Sequence, residues 1–207
     1  MIIIVEGPDG AGKSTMIEDL KRQYLMRAGQ TPESVQVWHA GPFPQDSNPW
    51  TEYVVPLSRL QVTRGYLVLI DRWHLGELVY GPLLRGQSRL SPEQRVWIDG
   101  YLKSMGAITV CLTATIEELT RRLSERGDDL IKAEQFPYLV AQYDELTRDL
   151  PPEAITTRVF DTTNQRVSPT AASILFLASM ETTVAMVHQG HNNYDHRPYW
   201  EIHPWPS

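Results

Sequence analysis

The chain has 207 residues, of which 42% are hydrophobic and 21% are charged. This composition is typical of a globular protein with a hydrophobic core, which excludes a disordered or fibrous chain, and the length favours one domain over two. The net charge of -6, from 19 Lys and Arg against 25 Asp and Glu, gives the surface no general attraction for a phosphate polymer. Nucleic acid is therefore not the expected partner, and a phosphate-bearing ligand must be held by a local site.

The chain shows no sign of disulfide bonding or of a membrane segment. Cys111 is the only cysteine, which excludes an intramolecular disulfide and a site with several cysteine ligands. The apolar start, Met1-Ile2-Ile3-Ile4-Val5, lacks the basic flank and the cleavage pattern of a signal peptide. No uninterrupted apolar stretch approaches the roughly 18 to 20 residues that span a bilayer. We therefore expect a soluble cytoplasmic protein without a membrane partner.

Short apolar runs alternate along the chain with helix-like segments, which is the pattern of a parallel sheet covered by helices on both faces. Strands are predicted at 2–5, 35–39, 66–70, 108–112 and 157–160. Helices are predicted at 14–27, 91–104, 115–126, 133–150 and 169–187, from capping residues and following glycines. The proline-rich stretch 40–56 is predicted to be a loop that leads into a short helix. We expect one α/β domain over 1–188 and a C-terminal tail over 189–207 that packs across the domain or pairs with a partner.

The strongest functional signal lies between the first predicted strand and the first predicted helix. It reads Gly7-Pro8-Asp9-Gly10-Ala11-Gly12-Lys13-Ser14-Thr15 and satisfies the phosphate-loop pattern G-x-x-x-x-G-K-[ST] in the context that this pattern requires. Glycines let successive backbone N–H groups point at one anion, and the helix N-terminus adds partial positive charge. We expect Lys13 to reach the β- and γ-phosphates of ATP, Ser14 to bind Mg²⁺ and Thr15 to contact the α-phosphate. The alternative is a glycine turn with a solvated lysine.

A second signal, Asp71-Arg72-Trp73-His74, directly follows the third predicted strand. It puts a carboxylate and a guanidinium at the carboxyl edge of the sheet, where ligands of α/β proteins bind. Asp71 can hold Mg²⁺ or its water and accept a proton, and Arg72 can bind an acceptor phosphate through two N–H groups. The alternative is an ion pair at the end of a strand.

A third signal is a group of arginines on the helix predicted from Thr115. Arg122 and Arg126 are separated by four residues and therefore share a helix face, where two cations repel unless an anion lies between them. A lid over about 121–135 that closes on the transferring phosphate would supply that anion. The alternative is a solvated basic face that neighbouring acids partly neutralise.

These motifs resemble those of thymidylate kinases. The phosphate loop resembles their E-G-x-D-G-[AS]-G-K-[ST]-T form, and Asp71-Arg72-Trp73 resembles their D-R-[YHF] motif. The resemblance runs from residue 1 to about 165 and implies the fold of P-loop nucleoside monophosphate kinases, with a five-stranded parallel sheet, helices on both faces and a small lid. It also implies a homodimer, Asp9 near the acceptor 3'-hydroxyl, and Arg72 on the acceptor phosphate. The implied contacts to the donor nucleotide involve Gly7, Asp9, Gly10, Ala11, Gly12, Lys13, Ser14, Thr15, Arg122 and Thr163.

The sequence departs from the family where the acceptor base would bind. His39-Ala40-Gly41-Pro42-Phe43 replaces the usual R-E-P-G-G-type loop, and Gly81 replaces a glutamine. The loops after the second and third strands are nevertheless rich in aromatic side chains, and base stacking is worth about 1 to 3 kcal/mol. The alternative is that the rings fill the core. The candidate residues for the acceptor are Asp9, Phe43, Tyr53, Arg72, Trp73, His74 and Tyr80.

These motifs favour a kinase that uses ATP and Mg²⁺ to phosphorylate a deoxynucleoside 5'-monophosphate, either dTMP or a modified pyrimidine nucleotide. A deoxynucleoside kinase, or a kinase of a hydroxymethylated pyrimidine in DNA, would instead need a general base such as Asp71, Glu6 or Glu77. A non-catalytic nucleotide switch is the third alternative, and the sequence lacks its second strand-end acid.

Overall fold

A five-stranded parallel sheet forms the centre of the molecule. The computed structural model describes residues 1–27, 29–41, 43–44, 46–58, 66–127, 131–148, 150, 154–191 and 205–206, with the backbone alone for 188–191. The strands, in the spatial order β2-β3-β1-β4-β5, are β1 (Ile2–Glu6), β2 (Val35–His39), β3 (Leu67–Asp71), β4 (Ala107–Thr113) and β5 (Thr156–Asp161). This confirms the α/β fold with five parallel strands.

Seven α-helices lie in the described ranges: α1 (Lys13–Leu25), α2 (Val55–Ser58), α3 (His74–Arg85), α4 (Pro92–Ser104), α5 (Ile116–Arg126), α6 (Phe136–Thr147) and α7 (Val167–His191). A π-helical turn, Trp50–Val54, runs directly into α2. Two short 3-10 turns occupy Pro32–Ser34 and Ala133–Gln135.

The central strand shows why the sheet needs helices on both faces. Ile3 and Val5 point into a core shared with α1, α5, α6 and α7, whereas Ile2 and Ile4 point into a second core shared with α2 and α4. Because successive side chains of a strand alternate between faces, an uninterrupted apolar run is buried on both. The phosphate loop follows β1 and lies between the carboxyl ends of β3 and β4, at the point where the strand order reverses, which is the usual binding crevice of such sheets.

All five predicted strands are present to within one residue at each end, but one helix was missed. The helix α3 contains Gly76, Gly81 and Pro82, which sequence rules interpret as helix breakers. At Gly81, a Cβ atom would lie 2.8 Å from Oε1 of Glu77, so this glycine allows close packing and does not end the helix. The helix predicted at 133–150 is shorter, since a 3-10 turn precedes it and Arg148 is already extended.

The last helix crosses the predicted domain boundary. The helix α7 continues to His191, and residues 192–204 and 207 of the predicted tail lie outside the described residues. Over Val167–Val187, α7 is long and apolar enough to cross a membrane, with 28% of its most apolar window buried. This finding corrects the expectation that no such segment exists, although a core helix of a soluble protein passes the same test. The boundary at 188 and the cytoplasmic location therefore stay predictions.

Candidate active site

The phosphate loop is shaped by three glycines, Gly7, Gly10 and Gly12, in backbone conformations that other residues rarely adopt. Gly7 has a φ of 132°, and a Cβ atom there would lie 2.1 Å from the carbonyl oxygen of Leu112 on β4. Gly12 is left-handed, with a φ of 89°, and directly precedes α1. The N–H group of Ala11 donates to the carbonyl of Pro8 at 3.2 Å. Gly7 and Ala11 therefore shape the loop and do not line the pocket.

A polar pocket, here called the phosphate pocket, lies at the N-terminus of α1. Its walls bring together most of the residues predicted from separate motifs, namely Asp9, Gly10, Gly12, Lys13, Ser14, Thr15, Asp71, Arg72, Arg122 and Arg126, together with Glu125. A helix N-terminus with four basic side chains around it is suited to a multiply charged anion.

Lys13 is the cation at the centre of this pocket. Its ammonium group donates to the carbonyl oxygens of Gly7 and Pro8, both at 2.8 Å, and lies 3.7 Å from the carboxylate of Asp9. Burial and the nearby Arg72 guanidinium lower the pKa of Lys13 to about 8, although Asp9 opposes the shift. Both effects disfavour the charged form of Lys13. The negative charge of a bound phosphate group would oppose them.

Asp71 has the properties of a magnesium ligand. Its Oδ2 atom lies 3.0 Å from Nδ1 of His39 on β2, whereas Oδ1 is buried without a hydrogen-bond partner in the described part of the chain. The exposed hydroxyl of Ser14 lines the same pocket. Mg²⁺ takes few protein oxygens and shares the rest of its shell with water and phosphate. One carboxylate and one hydroxyl therefore fit it, and no group of three or more acids, histidines or cysteines within the described ranges offers a closed metal site.

Arg72 has a backbone conformation that is costly for a residue with a side chain. Its φ is 65°, the only positive value for a non-glycine residue in the described ranges. Its N–H donates to the carbonyl of Val5 at 2.9 Å, and its guanidinium forms an ion pair with Asp9 and lies 5.9 Å from the centre of the Tyr80 ring. Arg72 does not pair with Asp71, and its Nε is buried without a partner among the described residues. Strained residues of this kind cluster at functional sites.

Glu6 holds the segment that carries Arg72. Its fully buried carboxylate accepts hydrogen bonds from the N–H groups of Trp73, at 2.6 Å, and Gly76, at 3.2 Å, and from the hydroxyl of Tyr143, at 3.3 Å. Burial raises the pKa of Glu6, against these backbone hydrogen bonds. Because Glu6 is fully buried and caps α3, its role is to position α3. Its place at the end of β1, before the phosphate loop, was the only sequence signal for it.

A second cavity, here called the acceptor pocket, adjoins the phosphate pocket and has a volume of about 110 Å³. Its walls include the predicted aromatic residues Phe43, Tyr53, Trp73 and Tyr80, together with Asp9 and Arg72. The rings pack edge to face, with Tyr53 between Phe43 and Trp73 at centroid distances of 5.4 and 5.6 Å. The two pockets share the side chains of Asp9 and Arg72. The aromatic rings thus surround a cavity.

His74 does not line this cavity, which corrects its predicted place among the substrate residues. It is the first residue of α3, and its fully buried imidazole points into the protein, where Nε2 lies 2.8 Å from the carboxylate of Asp99 on α4. Its role in the described structure is to join α3 to α4. Further along α3, Glu77 and Tyr80 line the cavity instead.

Sequence reasoning missed a buried charge network behind the acceptor pocket. Arg89 donates to Glu52 at 3.0 Å and to Glu77 at 2.7 Å, and its guanidinium lies 5.9 Å from the centre of the Phe43 ring. Arg85 completes the network through Glu77. Although burial acts to raise it, hydrogen bonds from Arg89 and Arg85 lower the pKa of Glu77. Glu77 is therefore already engaged, which counts against it as a general base.

Two of the three arginines of α5, Arg122 and Arg126, have different environments. Arg122 donates to the carbonyls of Gly10, at 3.0 Å, and Thr162, at 2.8 Å, and so ties α5 to the phosphate loop and to the end of β5. Arg126 is exposed beside the phosphate pocket and has no hydrogen-bond or ion-pair partner among the residues that the structure describes. Of the two, Arg126 is therefore the better placed to bind a phosphate. The lid over 121–135, part of which lies outside the described residues, stays a prediction.

Thr163 was predicted to contact the donor nucleotide. Its hydroxyl accepts a hydrogen bond from the N–H group of Thr115 at 2.9 Å. The preceding residue, Thr162, lines a cavity beyond the phosphate loop together with Gly12, Thr15 and Gln165. This cavity is the better candidate for the donor base, and Gln165 was not singled out from the sequence for that role.

Comparisons with known proteins agree on the fold. No protein-family model matches the chain, and no curated protein does. YorR protein from Bacillus subtilis, solved in complex with phosphorylated GDP, has a TM-score of 0.68 and 24% identity, over 87% of this chain and 97% of that one. Polyphosphate kinase 2 from Arthrobacter aurescens has a TM-score of 0.61 and 15% identity, over 100% and 70%.

Deoxyadenosine kinase from M. mycoides, solved with bound dATP, has a TM-score of 0.54 and 18% identity, over 85% of this chain and 98% of that one. These structures show that the chain has a P-loop kinase fold, as the motifs implied. None of the three is described as a thymidylate kinase, so the comparisons confirm the P-loop kinase fold and not the resemblance to that family.

Proposed function

We propose that this protein is a kinase that uses ATP and Mg²⁺ to phosphorylate a deoxynucleoside 5'-monophosphate, with dTMP or a modified pyrimidine nucleotide as the favoured acceptor. The observation that carries the proposal is that the phosphate pocket and the acceptor pocket meet at Asp9 and Arg72. A phosphoryl group held in the first pocket would therefore face an acceptor held in the second. Such a transfer needs positioning and charge neutralisation more than covalent chemistry.

In the proposed reaction, an oxygen of the acceptor 5'-phosphate attacks the γ-phosphorus of ATP. The bond from this phosphorus to the β–γ bridging oxygen breaks, so ADP and a deoxynucleoside diphosphate leave. Lys13 holds the β- and γ-phosphates, Arg126 stabilises the charge on the transferring group, and Arg72 binds the acceptor phosphate. Ser14 and Asp71 would hold Mg²⁺, which would supply the positive charge that neutralises the donor phosphates.

A monophosphate acceptor is favoured over a nucleoside because its phosphate oxygen is already anionic and needs no general base. Two of the candidate bases are engaged, since Glu6 is fully buried beneath α3 and Glu77 is bound by Arg85 and Arg89. One observation keeps a deoxynucleoside kinase as the second candidate. The carboxylate of Asp71 borders the phosphate pocket with one oxygen that has no partner among the described residues, and this oxygen could accept the proton of a 5'-hydroxyl.

The polar atoms of the acceptor pocket support a base with carbonyl oxygens, such as thymine. Trp73 and Arg85 line the pocket, and the Nε1 and Nε atoms of these residues are buried without partners among the described residues. Both atoms can only donate hydrogen bonds, and a buried donor without an acceptor costs about 1 to 3 kcal/mol. The carboxylate of Glu77, which also lines the pocket, is already bound by Arg85 and Arg89. A carbonyl of the base would satisfy these donors, whereas an amino group would not.

A panel assay tests the proposal. ATP and Mg²⁺ are incubated with nucleosides, nucleoside monophosphates and DNA, and the acceptor that gains phosphate is identified by chromatography. The expected result is turnover of dTMP, or of a 5-substituted pyrimidine monophosphate, above that of dCMP and dAMP. A preference for nucleosides would favour the second candidate, and turnover of DNA alone would overturn both.

Binding of ATP should weaken at alkaline pH because Lys13 loses its charge. With a pKa of about 8, the lysine is mostly protonated at pH 7 and mostly neutral at pH 9, and only the ammonium form attracts the phosphates. The Kd for ATP should therefore rise by about tenfold from pH 7 to pH 9, as measured by calorimetry at constant Mg²⁺. A Lys13→Arg variant, which stays charged at both pH values, is the control. An unchanged Kd in the wild type would show that Lys13 does not titrate in this range.

Removing the Tyr53 ring should weaken the acceptor alone. Tyr53 lines the acceptor pocket, whereas the hydroxyl of Tyr80 contacts Asp9, which both pockets share. Replacing Tyr80 would therefore disturb both pockets. For Tyr53→Ala we expect the KM for the acceptor to rise by about tenfold or more, from about 1.4 kcal/mol of lost binding, and the KM for ATP to stay within about twofold. Tyr53→Phe keeps the ring and is the control. Equal weakening of both substrates would place the base elsewhere.

Assembly as a homodimer is the remaining part of the proposal, and it comes from the resemblance. The helix α7 supports it with exposed apolar side chains, among them Phe176, Met180 and Val184. Sedimentation velocity of the full chain tests it directly, and a monomer at micromolar concentration would contradict it.

A further inference from the structure

Three indole rings from distant parts of the chain pack against one another near the acceptor pocket. Trp205 packs against Trp50 with ring centroids 5.0 Å apart and against Trp97 with centroids 5.1 Å apart, and Trp50 and Trp97 are 5.5 Å apart. We call these three residues the tryptophan cluster. The side chain of Gln94 also donates to the carbonyl of Pro206 at 3.4 Å. Residues 205 and 206 therefore lie against α4 and the turn that begins at Trp50.

Two members of the tryptophan cluster lie on different kinds of secondary structure, a regular α-helix and an irregular turn. Trp97 lies on α4, a helix of 13 residues whose N-terminus is closed by a capping box from Ser91. Trp50 instead begins the π-helical turn Trp50–Val54. Single π-helical turns are rare and occur mostly at functional sites, where surrounding contacts maintain them. The ring of Trp50 contacts both Trp97 on α4 and Trp205, and the last two also contact each other, so residue 205 closes one side of the environment of Trp50.

The same turn carries a wall of the acceptor pocket. Tyr53 follows Trp50 by three residues, is 2% exposed, and packs on Phe43 and Trp73, which also line the pocket. A shift of the turn would therefore move Tyr53. None of the cluster lines the phosphate pocket. A change at residue 205 should reach the acceptor pocket through Trp50 and leave the phosphate pocket undisturbed.

Building on the proposed function, we infer that Trp205 is a positioning residue of the acceptor pocket. It touches no substrate. Its ring packs on Trp50 and on Trp97 of α4 and so keeps Trp50 in place. This packing fixes the turn that carries Tyr53, which lines the acceptor pocket. Trp205 thereby contributes to the affinity for the acceptor and not to the affinity for ATP.

Steady-state kinetics of Trp205→Ala tests this inference. The KM for the best acceptor of the panel should rise by about fivefold or more, while kcat and the KM for ATP stay within about twofold. Trp205→Phe keeps an aromatic ring and should restore the acceptor KM to within about twofold of the wild type. The matched control is Tyr138→Ala, which removes an exposed ring on α6 and should change neither KM. An unchanged acceptor KM, or a parallel rise of both KM values, would overturn the inference.

Hydrogen exchange gives a second readout that needs no substrate. In Trp205→Ala, amide exchange should accelerate in peptides that cover residues 48–58 and stay unchanged in those that cover the phosphate loop, residues 7–15. If the panel finds no phosphorylated monophosphate, the proposed function fails, and this measurement still decides the role of Trp205. Unchanged exchange at 48–58, or faster exchange across the whole chain, would show that Trp205 does not act on the turn.

Discussion

Replacing Lys13 by alanine should reduce kcat/KM by about a thousandfold or more and leave a folded protein. The ammonium group of Lys13 is held in the phosphate pocket by the carbonyl oxygens of Gly7 and Pro8, and nothing else in α1 can take its place. Its main effect is on the transferring phosphoryl group, where negative charge must be stabilised. Steady-state kinetics with the best acceptor, together with circular dichroism for the fold, measure the two parts of the prediction.

The control for this variant is Lys21→Ala, which removes a lysine from the same helix outside the phosphate pocket. It should keep activity within about twofold of the wild type. Wild-type turnover in Lys13→Ala would show that the phosphate loop is not the active site. Loss of the folded state would instead show that the hydrogen bonds of Lys13 to the loop are structural, and Lys13→Met, which keeps the apolar stem, would then separate the two roles.

Replacing Arg72 should reduce kcat/KM for a monophosphate acceptor by about a hundredfold or more. Removing one member of a buried charge pair costs about 2 to 5 kcal/mol, and Arg72→Ala would remove both the proposed phosphate ligand and the ion-pair partner of Asp9. Arg72→Lys keeps the charge but loses the two parallel N–H donors, so we expect it to recover only part of the activity.

A glycine at the same position separates function from backbone strain. Because residue 72 has a φ of 65°, alanine is strained there and glycine is not. Arg72→Gly should therefore be more stable than Arg72→Ala by about 1 kcal/mol in the free energy of unfolding, while both are equally inactive. If activity followed stability across the two variants, Arg72 would serve the fold alone and the acceptor phosphate would bind elsewhere.

Motifs and strand ends were predicted correctly because they depend on short stretches of sequence. The phosphate loop follows an apolar strand and precedes a helix, so both its conformation and its place at the sheet edge follow from local rules. Asp71 and Arg72 were expected at the same edge because parallel strands end together, and in the structure both line the phosphate pocket. The direction of each side chain did not follow in this way, since Arg72 pairs with Asp9 and Asp71 with His39.

The helix α3 shows where local rules fail. Propensity treats Gly81 and Pro82 as signals that end a helix, yet here the helix continues because its other face is buried and Glu6 caps its start. Packing supplies more free energy than these two residues cost, so the tertiary environment determines the secondary structure. The same missed helix explains why His74 was predicted to contact the substrate. Its neighbours in sequence are site residues, but the direction of its side chain depends on α3.

By itself, the sequence determined the sheet, the phosphate loop and the charged residues that follow β1 and β3, because each depends on residues close together in the chain. Only the tertiary structure decided which aromatic rings form the acceptor pocket, that Arg122 is bound while Arg126 has no partner in the described part of the chain, and that Glu52, Glu77, Arg85 and Arg89 form one network. It also brought Trp205 to Trp50, across 155 residues of chain. Such contacts depend on how helices pack on the sheet, and no periodicity or motif in one sequence encodes that packing locally.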